Sequence, residues 1–193
     1  SDAASTSIAA TVLSAIGAKT SGAVTVTNAI VITGTNTQLT AALVTAGTLV
    51  VAGTAVVTMS DAASTSIAAT VLSAIGAKTS GIVTVTNAIV VTGTAAQVTA
   101  ALVTTASLVV AATAKGTISD AASTSIAATV LSAIGAKTSG IVTVTNAIVI
   151  TGTAAQVTAA LVTADTLVVA ATTLGTISDA ADVSIAATVL SAI

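Results

Sequence analysis

The stretch SDAASTSIAATVLSAIGAKTSG, residues 1–22, returns letter for letter at residues 60–81 and 119–140. It begins once more at Ser178, so the chain reads as a tandem array with a 59-residue period. Residues 1–59, 60–118 and 119–177 are three copies, and residues 178–193 open a fourth. A fixed period of this size predicts a quasi-one-dimensional stack, in which each unit buries its apolar face against its neighbours. The expected fold class is an α/β repeat solenoid: one continuous rod, each unit reading helix, strand pair, helix, strand pair.

Identity between copies extends to positions that burial does not explain. Lys19, Lys78 and Lys137 agree, although exposed sites tolerate substitution within about 0.5 kcal/mol. Recent duplication and consensus design both produce such identity. Duplication fits better, because Asn36, Thr37 and Met59 of the first copy become Ala95, Ala96 and Ile118 in the second. A designer would have made them alike.

Within the first copy, Asp2–Ser7 offers caps for the apolar segment that follows: Ser5, Thr6 or Ser7 can accept from the free amides of a first helical turn. Ile8, Val12, Leu13 and Ile16 then recur at helical spacing, predicting a helix over residues 8–18. Gly17 or Gly22 ends it or its loop, and Lys19 suits the C-terminal end of the dipole. Val24–Thr27 and Ile30–Thr33 alternate around Asn28-Ala29, which reads as strand, corner, strand. Thr35 or Thr37 caps a second helix with Leu39, Ala42, Leu43 and Ala46 on one face. Leu49–Ala52 and Ala55–Thr58 form the second strand pair, as hairpins or as arcs around a corner. Two adjacent strands per helix would span about 9.6 Å, which matches one helix spacing of 8–10 Å and predicts a nearly straight stack; a single strand per helix would instead splay the helical side and bend the array into a horseshoe.

Composition prunes the chemistry. The chain is 54% hydrophobic and 5% charged, with no aromatic residue, His, Cys or Pro. Such hydrophobicity predicts order, with a core of Ala, Val, Ile and Leu in thin layers. Without His and Cys there is no ordinary zinc, haem or iron–sulfur site and no Ser–His or Cys–His nucleophile pair. No cofactor is expected, and no enzyme. The six acidic residues are Asp2, Asp61, Asp120, Asp165, Asp179 and Asp182, too sparse to gather the oxygens calcium prefers within one unit. A net charge of −2 gives no basic patch for nucleic acid, and no ring is present on which a base could stack.

Mean hydropathy is +1.13, and the 19 residues of Ala41–Met59 carry no charge. That stretch nevertheless holds two Gly and four Thr, and its counterparts contain Lys115 and Asp165. Neither an aromatic belt nor a flanking positive cluster accompanies it, so membrane insertion is not expected. No signal peptide or initiator Met is visible, which suggests an excerpt of a longer or processed chain.

Stacking would turn each once-per-copy residue into a ladder. Asn28, Asn87 and Asn146 stand at the strand corner, either as a polar binding stripe or, more simply, bonding neighbouring backbone. Asp2, Asp61, Asp120 and Asp179 read as helix-start charges. The pairs Thr25 and Thr27, Thr84 and Thr86, and Thr143 and Thr145 each stand two apart, so each pair shares a strand face. Regular Thr-x-Thr rows resemble the ice-binding faces of antifreeze solenoids, a role that needs adjacent rows about every 4.8 Å on an exposed flat sheet.

The strings Val-Thr-Val-Thr-Asn-Ala (24–29), Ile-Thr-Gly-Thr-Ala-Ala-Gln-Val (150–157) and Ala-Lys-Thr-Ser-Gly (18–22) resemble tandem repeats of very large bacterial cell-surface, adhesin-like proteins. The resemblance covers the whole chain, although its motifs are of low complexity. It implies an extracellular stalk, coat or filament component that partners itself by head-to-tail stacking, with no catalytic residue to carry over. The alternatives are an ice-, glycan- or partner-binding surface on the Thr or Asn ladders, and an engineered consensus array.

Overall fold

In a computed structural model, which describes residues 2–45, 47, 50–104, 108–163 and 168–193, each of the three full copies starts with a strand that its sequence conceals. Ser7–Ala9 is extended (β1), and helix α1 runs only over Ala10–Gly17. Ser5, Thr6 and Ser7 therefore do not cap it. Its N-cap is Ala9, which has no side chain to offer. Ser5 instead closes a turn at φ 65°, and its amide donates to the Ala29 carbonyl.

The first copy continues through β2 (Val24–Thr25), β3 (Val31–Gly34), α2 (Asn36–Leu39, prolonged by a π-helical run Thr40–Val44), β4 (Val50–Val51) and β5 (Val56–Met59). Here the cap was legible. The Thr35 side chain accepts from the Gln38 amide while the Gln38 side chain accepts from the Thr35 amide, a capping box that satisfies two otherwise free donors. Ala46, Leu49 and Asp165 lie outside the described residues.

The second copy repeats the order as β6 (Ser66–Ala68), α3 (Ala69–Gly76), β7 (Val83–Val85), β8 (Val90–Gly93), α4 (Ala95–Leu102), β9 (Val109–Val110) and β10 (Lys115–Ile118). The third does so as β11 (Ser125–Ala127), α5 (Ala128–Gly135), β12 (Val142–Val144), β13 (Val149–Gly152), α6 (Ala154–Leu161), β14 (Val168–Val169) and β15 (Leu174–Ile177); α7 (Ala187–Ala192) follows. The described residues thus form an α/β fold of seven helices and parallel sheets.

The sheets do not coincide with the copies. One has the order β1-β3-β5-β7-β9, taking three strands from the first copy and two from the second. The next, β6-β8-β10-β12-β14, does the same one copy later. A strand pair such as β7 and β8 is therefore an arc whose members lie in different sheets, not a hairpin. Each helix accompanies one new strand per sheet rather than two adjacent ones, which corrects the spacing expected from sequence. The reason is the corner: Asn87-Ala88 turns the chain away from the plane of β7, with the Ile89 amide bonded to the Asn87 carbonyl.

Inward residues meet in register. Ile32, Val57 and Val83 are Cα partners across β3, β5 and β7, and all are fully buried, as are Leu39, Leu72 and Ile75 in the same core. These branched side chains supply the core that a chain without aromatics requires, since burying one contributes about 1.5–3 kcal/mol.

Candidate functional site

The residues that change surroundings at the boundary between copies cluster at two places on that boundary. On the strand side, β5 of one copy pairs with β7 of the next, Val57 to Val83 through Met59 to Val85. Bonds around the corner reinforce this pairing. Thr86 donates from both its amide and its hydroxyl to the Met59 carbonyl, at 3.1 and 3.0 Å. Ser80 does the same to Gly53, at 2.8 and 2.9 Å. The buried Thr79 hydroxyl donates to the Ala55 carbonyl. Between them, Gly81 lies so close over Ala55 that a Cβ would strike its carbonyl. The next boundary repeats the arrangement with Thr145 on Ile118, Ser139 on Ala112, Thr138 on Ala114, and Gly140 over Ala114.

On the helix side, the aspartates act on a helix other than the one that follows them. Asp61 accepts from the Asn36 amide at 2.7 Å, Asp120 from the Ala95 amide at 2.6 Å, and Asp179 from the Ala154 amide at 2.8 Å. Each carboxylate thus sits at the N-terminus of the second helix of the preceding copy, where free amides and the dipole favour an anion. Helix-start electrostatics was the right physics assigned to the wrong helix.

The asparagines fix the loops at Asp2, Asp61 and Asp120. The side-chain amides of Asn28, Asn87 and Asn146 donate to the carbonyls of Asp2, Asp61 and Asp120 at 2.5, 2.6 and 2.6 Å. Because that donor is engaged, each asparagine positions the loop beside it.

The threonine pairs do not stack on one another. Thr25 faces Val51 in a two-stranded ladder, Thr84 lies in the first five-stranded sheet and Thr143 in the second. Thr27 is exposed, whereas the hydroxyls of Thr86 and Thr145 are taken up at the boundary. Instead, the register aligns Thr33, Thr58 and Thr84 on neighbouring strands, then Thr92, Thr117 and Thr143. The rows are flanked by Ala9 and Val110 in one sheet and by Ala68 and Val169 in the other. Thr33, Thr58, Thr92 and Thr117 escaped the sequence reading because only the pairing register brings them beside Thr84 and Thr143.

Between α4 and the β11–α5 segment lies an open groove of about 420 Å³ with Asp120 in its wall, and its counterpart beside Asp179 holds about 440 Å³. Their walls mix alanine, valine and isoleucine with hydroxyl side chains, Thr99, Thr124 and Ser125 in the first and Thr158, Thr163 and Ser184 in the second. The buried hydroxyls of Thr40, Thr99 and Thr158 have no hydrogen-bond partner among the described residues. Among the described residues, no group of three or more metal-capable side chains comes together, and no helix is long and apolar enough to cross a membrane.

These features define a class, a parallel α/β protein whose distinctive chemistry is the bonding of one copy to the next. Compared with family models, with curated proteins and with solved structures, the chain matches none.

Proposed function

We propose that the chain is a structural repeat module: an α/β solenoid that stacks into a rod and serves as stalk, coat or self-assembling filament of an extracellular bacterial surface protein, without catalysis. One observation supports this above others: the same set of bonds joins successive copies at residues 53–86 and again at 112–145. Another copy, in the same chain or in a second molecule, would meet the same donors and acceptors, so self-stacking belongs to the proposal. The surface location rests on the resemblance of the motif strings to adhesin-like repeats.

Whether the stack is straight turns on a difference of spacings. β5 stands two strands beyond β1 in its sheet, so each copy advances the strands by about 9.6 Å. Its two helices need about 16–20 Å. A straight rod requires the passage from one five-stranded sheet to the next to make up that difference. Small-angle scattering on chains lengthened copy by copy tests this reading. We expect the longest dimension to grow by about 16–20 Å per copy at constant cross-section. A compact particle growing in all directions would refute it.

A second reading, ice binding, draws on the Thr33–Thr58–Thr84 row at strand spacing. It ranks behind, because these three are half-buried and the row is interrupted at each sheet. Thermal hysteresis above that of an inert protein would promote it.

A further inference from the structure

Among the differences between the three boundaries, one lies at the carboxylate itself. In the first, Asn36 stands where Ala95 and Ala154 stand in the other two. Its side-chain amide donates to Asp61 Oδ1 at 2.6 Å, while Asp61 Oδ2 accepts the helix amide. Both oxygens are engaged, and Asp61 is only 4% exposed. Asp120 and Asp179 spend Oδ2 on the helix amide. Their Oδ1 accepts no hydrogen bond among the described residues, and both side chains are half-buried beside the open grooves. The first boundary thus carries its own nitrogen donor, and the later two present an acceptor beside walls of mixed alanine, valine, isoleucine, threonine and serine.

We propose that these grooves receive lysine side chains of a second copy of this chain, so that arrays associate side by side. Three observations select this occupant. The carboxylate calls for a cationic donor, and four methylenes of a lysine stem match walls such as Ala96, Ala127 and Val130, leaving the ammonium at the polar end. The lysines are correctly placed: Lys19, Lys78 and Lys137 are exposed just beyond α1, α3 and α5. Because β1 and β3 pair in parallel, as do β2 and β4, successive helices run in one direction. Grooves therefore line the edge of the helix row at the helix starts, and lysines line the opposite edge.

Lysines recur once per copy and grooves at the second and third boundaries, so both ladders step by one copy and the lysine edge of one array matches the groove edge of another. Each exposed pair is weak, but several engaged together raise the effective affinity. The contact is heterologous and does not close, which builds sheets of arrays. The inference rests on the rod reading above and adds lateral contact to it.

Sedimentation velocity across a concentration series at low salt tests it. We expect concentration-dependent larger species that disappear in a K19Q/K78Q/K137Q variant and in an A95N/A154N variant. The second reproduces the residue already seated in the first copy, and circular dichroism should show both variants folded. A monomer at every concentration, or association surviving either multiple variant, overturns the proposal. Scattering on the same samples separates the two readings: an elongated monomer ends the lateral contact alone, and a compact particle ends the rod reading as well.

Discussion

Residues 1–22 and 60–81 are the same 22 letters in two environments. Ile16 is 48% exposed, whereas Ile75 is fully buried. Thr20 is exposed, whereas Thr79 is buried with its hydroxyl bonded to Ala55. A Cβ on Gly22 would meet nothing closer than Thr20 at 3.7 Å, whereas on Gly81 it would collide with backbone. Secondary structure is the same in both. What differs is that residues 53–59 lie against the second segment. Burial here belongs to the boundary between copies, and so does most of the stability that a repeat can add.

Substitutions paired across the two segments exploit this difference. The largest contrast should come from Ile75→Ala against Ile16→Ala. The first empties a fully buried site and should cost about 4 kcal/mol, and the second less than about 1 kcal/mol, both read from urea midpoints. Gly81→Ala should cost about 3 kcal/mol, because the Ala55 carbonyl is backbone and cannot step aside. Gly22→Ala should stay within about 0.5 kcal/mol. A small effect for Gly81→Ala would break the comparison at its tightest contact.

The aspartates give a smaller contrast. Asp61→Ala removes an acceptor from two donors at the start of α2 and should cost about 2 kcal/mol. Asp2→Ala, at an exposed position, should be close to silent in thermal melts. Least in size, and opposite in sign, is Thr99→Val. Removing a buried hydroxyl that has no partner among the described residues should stabilise by about 1 kcal/mol. Loss of stability there would mean that the hydroxyl is satisfied in solution.

Much of the fold could be read from one copy, because helices and strands announce themselves through local period. The Thr35 cap and the strand–corner–strand pattern at 24–33 needed nothing beyond neighbouring residues. Ser7–Ala9 escaped because three residues are too few to show alternation, and a Ser/Thr-rich lead-in to an apolar run looks like a cap. The roles of Asp61 and Gly81 depend on Asn36 and Ala55, 25 and 26 residues earlier. No local pattern encodes that distance. The threonine rows fall in the same class, since a row is a property of register between strands and not of any strand alone.

Adding one internal copy to the chain and comparing urea unfolding of the two lengths tests most directly whether the boundaries hold the molecule together. Each new copy brings a complete boundary, so the midpoint and the slope with denaturant should both rise. An unchanged midpoint and slope, with the added copy unfolding in a separate transition, would contradict the account.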